Sequence, residues 1–346
     1  MNVNTRGLMR SAVVLFFFLI FVLFERDALA QDKAKLIPVM EGISSPDFGY
    51  LPSYLARAKG FLEKEGLDMK IIVMRANVSV PALVTGEIQF AVHGSAMTAS
   101  IMGAPLKAIF FTYNTSILQF TVRPEIQKPE DLKGKVIAIA SPGGSQDQAT
   151  RLILKKLGLD PERDVRLLPI GDAKARVIGM DTGQIAGSAN NLDIAAELVR
   201  KGYRIIANSA EVYPVPFSGF AVNDQLLKKN PEIIKKWLRA HIRALLFIRQ
   251  NPDDAAQVAA KELKLNPDVA REAIRQSIDF LSPDDPGGFT ERGIRLHIQY
   301  SAARTSVDPE KVKISDVADA TLLREVQREM GIQCRGGYLC PQGAVK

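Results

Sequence analysis

Cysteine is nearly missing from this chain of 346 residues: only Cys334 and Cys340 occur, both in a glycine-rich tail. A metal site needs more ligands than that pair offers, and the three histidines are dispersed, so no metal and no cofactor is expected. No Gly-Lys-Ser/Thr follows a glycine turn and no GxGxxG occurs, which excludes a Walker loop and a dinucleotide fingerprint. Neither a nucleophile elbow, nor HExxH, nor a paired-carboxylate signature is present to argue for catalysis. Basic tracts interleaved with aromatics are also missing, so nucleic-acid binding has no support, and the excess charge of +7 is modest and scattered.

What is present is a globular composition, 47% hydrophobic and 24% charged, long enough for two lobes of ordinary size. The first 30 residues stand apart. Arg6 and Arg10 precede an apolar run from Ala12 to Phe24, and Ala28-Leu29-Ala30 follows, the layout of a secretory signal cleaved after Ala30. At about 13 residues the run falls short of the roughly 20 that a spanning helix needs. With no cysteine near the cleavage site, a lipoprotein anchor is not expected. An exported chain can oxidise Cys334 and Cys340 to a local disulfide; two reduced thiols in a loose tail is the competing reading.

The chain is organised around Lys133–Leu159. Val136 to Ala140 is a short β-branched apolar run, Ser141-Pro142-Gly143-Gly144 breaks it, and a helical period begins at Ser145. Ser145 and Gln148 have the spacing of a capping box. Leu152, Ile153 and Leu157 supply the apolar stripe, and Gly158 suits the left-handed residue that ends a helix. Strand, glycine turn and helix in that order leave amide groups facing outward, a geometry that attracts anions and polar oxygens. A plain tight connection in a parallel sheet is the alternative, and Asp147 would compete with an anion for the same helix dipole.

Around this stretch, strands are expected at Leu36–Met40, Asp68–Met74, Ile88–His93, Leu106–Thr112 and Leu118–Val122, completing a first lobe. Further strands at Val165–Pro169, Gln184–Gly187, Arg204–Ala207 and Phe217–Val222 alternate with helices, the pattern of a mostly parallel sheet. VTGEIQFAVHGSAMTASI from Val84 is echoed by DTGQIAGSANNLDIAAEL from Asp181, a weak internal repeat. Beyond Val222 the periodicity is helical throughout. The chain is expected to cross between lobes near Gln119–Arg123 and near Pro214–Ser218, which makes a hinge.

GYLPSYLARAKGFLEKEGLDMKI, TGEIQFAVHGSA, DLKGKVIAIASPGGSQDQATRLILKKLGL and the helix-TGQI-strand unit together resemble the periplasmic solute-binding proteins of ABC importers for nitrate, aliphatic sulfonates and taurine, a group related to hydroxymethylpyrimidine-binding proteins. The resemblance implies an α/β type II periplasmic-binding fold. A signal peptide at 1–30 precedes lobe 1 from 31–120 plus 218–331, lobe 2 from 121–217 and a tail at 332–346. It implies an extracytoplasmic monomer that closes on a small organic solute and delivers it to an ABC permease. By position, the family's contacts fall on Ser44, Ser45, Pro46 and Phe48, on Gly94 and Ser95, on Ser145 and Gln146, and on Asn190 and Phe217. His93 and Ser116 join them from local position alone. The competing readings are a core role for Phe48, a satisfied neighbour for His93 and helix capping for Asn190 and Asn191.

No Arg stands in the Ser141–Gln146 turn, and Asp147 follows it, which weakens a nitrate or sulfonate and leaves an uncharged, aromatic or carboxylate ligand open. The related pyrimidine synthases carry a cysteine-rich motif, and here no cysteine occurs before Cys334. A ligand-sensing partner of a membrane receptor is the remaining alternative.

Overall fold

A computed structural model describes residues 36–341; residues 1–35, with the signal segment and the cleavage after Ala30 that the sequence leads one to expect, and residues 342–346 of the tail lie outside the described residues. Ten short strands form two five-stranded sheets among the described residues. The first contains β1 (Ile37–Ile43), β2 (Leu67–Val73), β3 (Phe90–Val92), β4 (Leu106–Tyr113) and β10 (Phe217–Asn223) in the order β2-β1-β3-β10-β4. The second contains β5 (Gln119–Val122), β6 (Val136–Ile139), β7 (Arg166–Pro169), β8 (Gly187–Asn190) and β9 (Arg204–Asn208) in the order β7-β6-β8-β5-β9.

The two orders are one topology. β1 runs parallel to β3 as β6 does to β8 and β7, and in each sheet one antiparallel strand follows the third: β10 against β3 and β4, β5 against β8 and β9. That antiparallel strand is the one that has come over from the other half of the chain.

The repeat seen in the sequence is real in its TGxI part. Gly86 and Gly183 both take a left-handed φ, +82° and +81°, where each ends a helix before the third strand of its sheet. Only glycine enters that region without steric cost. The Gly-Ser-Ala parts do not correspond: Gly94 lies in the first turn of helix His93–Ile101, whereas Gly187 opens β8. This also corrects two expectations. The strand Gln184–Gly187 lies at Gly187–Asn190 instead, a buried Gly-Ser-Ala-Asn run without the β-branched residues that signal a strand. The strand expected at Ile88–His93 is confined to Phe90–Val92, because a helix starts at His93 and takes in Gly94-Ser95-Ala96.

Leu118–Val122, expected in the first lobe, is β5 of the second sheet. The first crossing therefore precedes it, between Tyr113 and Gln119, and the second runs between Asn208 and Phe217. The crossings are tied to each other: Ser116 Oγ lies 2.6 Å from Ser209 Oγ, and Ser209 Oγ accepts from the Leu118 amide at 2.9 Å. Hydroxyls that satisfy one another in a buried place hold two strands of chain together without fixing the lobes beyond.

The first sheet is covered on one side by the long helix Pro231–Gln250. Its Trp237 is fully buried, stacks on Phe90 at 4.5 Å between centroids, and donates Nε1–H to Glu41 Oε2 at 2.9 Å. On the other side Met97, Phe111, Phe289, Ile294 and Ile298 form a second buried cluster under helix Glu291–Ala302. The core of the second sheet gathers Ala138, Val177, Met180, Ile185 and Leu198. Cys334 and Cys340 are disulfide-bonded, and the tail they close lies on the first lobe, with Tyr338 stacked on Phe289. Among the described residues no helix is long and apolar enough to cross a membrane.

Candidate functional site

Helices His93–Ile101, Ser145–Lys156, Ala173–Asp181 and Leu192–Arg200 each start just after a strand, and residues at or near all four N-termini line one chamber between the two sheets. Unpaired amides and aligned peptide dipoles give each of these ends a partial positive charge, so the chamber is electropositive before any side chain is counted. Its volume is about 80 Å³.

The first lobe supplies Ser44, Asp47 and Tyr50 from the loop after β1, the His93–Ser95 turn of helix, and Phe217 and Ser218 at the start of β10. Ser44 Oγ and Tyr50 Oη are 3.0 Å apart. Ser218 holds a left-handed φ of +52°, an unusual conformation for a residue other than glycine, and it does so in the cleft wall. His93 is buried, which lowers its pKa to about 4, so the imidazole is neutral. Its Nδ1 lies against the Gly219 backbone, 2.9 Å from the amide nitrogen and 3.1 Å from the carbonyl oxygen, and its Nε2 lies 3.2 Å from Ser145 Oγ in the opposite lobe.

The second lobe supplies the glycine turn, with Ala140, Ser141, Gly144, Ser145 and Gln146, and behind it Arg176 and Asn191. The helix is capped differently from the expectation: Gly144, not Ser145, is the N-cap, and its side chain can make no bond. Gln148 turns instead to Gly143 O at 3.1 Å and, across the lobes, to Ser301 Oγ at 2.7 Å, so the capping box is absent. Gln146 braces the turn: Oε1 accepts from Ala140 N at 2.6 Å and Nε2 donates to Ala189 O at 2.7 Å. Arg176 is 5% exposed; Nη1 donates to the carbonyls of Ile170 and Gly171, at 2.9 and 3.0 Å, and Nε has no partner.

The lobes are in contact across the cleft. Asn191 Nδ2 donates to Asp47 Oδ1 at 2.6 Å, the Phe48 amide to Asp193 Oδ2 at 3.2 Å, and the Ala173 amide to Ser45 Oγ at 3.0 Å. Asp47 and Asp193 are brought together out of water. Burial is the main cause that raises Asp47 to about 6, with Arg176 pulling the other way, and burial plus the Asp47 charge raises Asp193 to about 7.

These shifts set a pH dependence of stability. A carboxyl whose pKa is raised in the fold keeps a proton that the unfolded chain gives up, so stability falls as pH rises from about 4 to about 7. The buried neutral imidazoles of His93 and His297, lowered to about 4 and about 3, act oppositely, removing stability as pH falls below the histidine reference of about 6.5. The two effects oppose each other in the acid range, and above the histidine window only the carboxyl cost remains. Asp193→Asn removes the larger carboxyl cost. Its melting temperature is expected to exceed that of the parent by at least about 3 °C at pH 8, with the gap closing toward pH 4. A gap that is constant with pH in thermal melts would refute the assignment.

Of the residues singled out in the sequence, Ser44, His93, Gly94, Ser95, Ser145, Gln146 and Phe217 line the chamber. The others lie elsewhere. Ser45 receives the Ala173 amide, Pro46 is half-buried beside it, and Phe48 is fully buried core. Ser116 belongs to the paired crossings, and Asn190 faces into the second sheet, donating to Thr121 Oγ1 at 2.6 Å. Four lining residues gave no signal that set them apart: Asp47, Tyr50, Arg176 and Asn191. Arg176 sits in AKARVIGMD, where an arginine on a short helix reads as a solvated residue. Asn191 could have been preferred to Asn190 because an N-cap, by its backbone direction, opens toward the end of the strand.

The two sheets thus make a two-lobed α/β fold with a polar chamber at the strand ends, lined from both lobes. The NMT1/THI5-like family matches residues 47–255, and the chain belongs to that family. Among curated relatives, the riboflavin-binding protein RibY of Chloroflexus aurantiacus is 26% identical over 251 residues, covering 68% of this chain and 70% of that one. Among solved structures, a Bordetella bronchiseptica protein superposes with a TM-score of 0.76 at 24% identity over 85% of this chain and 98% of its own. The periplasmic nitrate-binding protein of Synechocystis does so with a TM-score of 0.72 at 15% identity, over 86% and 89%.

Proposed function

We propose that this chain is an extracytoplasmic substrate-binding protein, not an enzyme, which captures a small organic solute between its lobes and presents the closed form to an ABC permease. The solute is of sulfonate, carboxylate or pyrimidine-like kind. The observation that carries the reading is the cleft itself: polar groups at the ends of both sheets meet in one chamber, on either side of two tied crossings. A solute touching both walls makes contacts that an open form cannot make, and that differential affinity is what drives closure.

The chemistry of the chamber supports binding over catalysis. Its titratable side chains are Asp47, Tyr50, His93 and Arg176, and the contacts of His93 are the Gly219 backbone and Ser145, with no carboxylate behind the imidazole to orient it as a base. Both cysteines are bonded to each other away from the cleft. A ligand-sensing role beside a membrane receptor would use the same cleft and differ only in the partner.

The test is mass spectrometry of the solute that co-purifies with the mature chain from its native host, followed by calorimetry with that solute. One bound molecule per chain, lost on Ser145→Ala combined with Asn191→Ala, is the expected result. A chain that carries nothing and shows no thermal shift with host extract would contradict the reading.

A further inference from the structure

We propose that the solute is an elongated carboxylate, its planar head on Arg176 in the inner chamber and its apolar body in an adjoining groove against Val80, Met102, Pro142 and Pro169. This inference rests on the binding-protein reading above and narrows its solute.

The chamber alone, about 80 Å³, is well below the roughly 300–1,000 Å³ of ordinary small-molecule sites. Beside it lies a second cavity of about 480 Å³ that shares Ala76, Ser95, Ala140, Ser141 and Gly171 with it, so the two form one recess with a smaller inner end. The inner end is polar, the outer end apolar. Val80, Ala99 and Met102 line the outer part from the first lobe, Pro142 and Pro169 from the second. Met102 is 61% exposed, a large apolar side chain with no core to join. No carboxylate lines the outer part, and its one charged residue is Arg75.

At the inner end the guanidinium of Arg176 is almost wholly withdrawn from water, yet its Nε has no acceptor, and Arg176 forms no ion pair among the described residues. A buried donor left unpaired is costly, and a carboxylate meets the planar edge of a guanidinium with two parallel bonds. The surrounding helix N-termini favour the same charge. Asp47 also faces the chamber, with Arg176 and Asp193 opposite it and Tyr50 and Glu41 on its own side. Burial raises the pKa of Asp47, and a ligand carboxylate nearby would raise it further, which lessens the repulsion between the two. A bare inorganic anion would leave the outer groove unfilled; a neutral solute would leave Arg176 near the carboxyls of Asp47, Asp172 and Asp193 but in ion-pair contact with none of them.

Calorimetry on the mature chain with octanoate, 4-phenylbutyrate, their amides, 4-phenylbutanesulfonate, acetate and nitrate tests this. The long carboxylates are expected to bind, the amides at least about 30-fold more weakly, and acetate and nitrate at least about 100-fold more weakly. Arg176→Met should abolish binding of both long carboxylates. Met102→Glu, at an exposed site that does not endanger folding, should weaken them at least about 10-fold through charge repulsion in the groove. Amides or the sulfonate binding as well as the carboxylates, acetate binding as well as octanoate, or a silent Met102→Glu would overturn the proposal and leave the binding-protein reading standing. The same holds if none of the probes binds and the solute recovered from the host is not a carboxylate. If no probe binds and the host yields no solute, both readings fall.

Discussion

Gly94→Val is expected to hold the cleft open. A Cβ at Gly94 would stand 2.5 Å from Ser145 Oγ and 2.9 Å from the Ser145 amide nitrogen, and the second of these is backbone that cannot swing aside. Gly94 lies in the first turn of helix His93–Ile101 and has no positive φ, so a side chain there does not strain the helix. The clash exists only while the two lobes touch. Affinity for the co-purified solute should fall at least about 100-fold, near 2.7 kcal/mol, while circular dichroism and the melting temperature of the solute-free chain stay close to the parent. Calorimetry and small-angle scattering check both halves. A variant that binds within about threefold of the parent would show that the Gly94–Ser145 approach is not part of the bound state.

The second large effect is expected at Asp147. Its carboxylate is fully buried and is shared by Arg151 Nε at 2.6 Å, by the Gly143 amide at 2.8 Å and by Arg304 Nη1, which reaches it from just beyond helix Glu291–Ala302. Beside it Thr98 Oγ1 donates to Gly143 O at 3.1 Å, and the Tyr213 hydroxyl donates to Gln148 Oε1 at 2.6 Å. The glycine turn is thus clasped to the helical remainder of the chain from behind. Removing one member of a buried charged cluster leaves the rest uncompensated, which typically costs about 3–5 kcal/mol. Asp147→Ala should lower the melting temperature by on the order of 8–12 °C. Arg304→Gln should do less, because Arg304 is 35% exposed and Arg151 remains on the carboxylate. A loss below about 1 kcal/mol for Asp147→Ala would mean that solvent already screens this cluster.

Asp147 also shows where reading the sequence stopped. From its place in the first turn of a helix it counts as a competitor for any anion at that N-terminus. In the fold its carboxylate is turned to Arg151 and Arg304, and the chamber is lined by Gly144, Ser145 and Gln146 instead. The strand, turn and helix of Val136–Lys156 were legible because a β-branched run, a Pro-Gly-Gly break and a 3.6 period are local signals. The two-sheet α/β class followed from the alternation, and the helix ends at Gly86 and Gly183, both left-handed in the fold, from the Thr-Gly pairs of the repeat.

Long-range facts were not legible. β5 and β8 carry little hydrophobic contrast because both of their faces are buried, so their sheet and register depend on partners remote in the chain. Arg176 reads as a surface arginine, and only the meeting of Ile170 and Gly171 carbonyls with its Nη1 shows that it is turned inward. Phe48 and Asn190 were carried over by position from the family resemblance, while the chamber is lined by their neighbours Asp47 and Asn191, since along a loop or strand end adjacent side chains point to opposite sides.

That two walls swing about the tied segments at Ser116 and Ser209 to enclose a solute is most directly measured by pulsed electron resonance. Spin labels would be placed at Val78 on the first lobe and Ile178 on the second, both exposed. Adding the co-purified solute should shift the label separation from a longer, broader distribution to a shorter, narrower one, and Gly94→Val should keep the longer distribution with solute present. A separation that does not change with solute would contradict lobe closure and with it the proposed mode of capture.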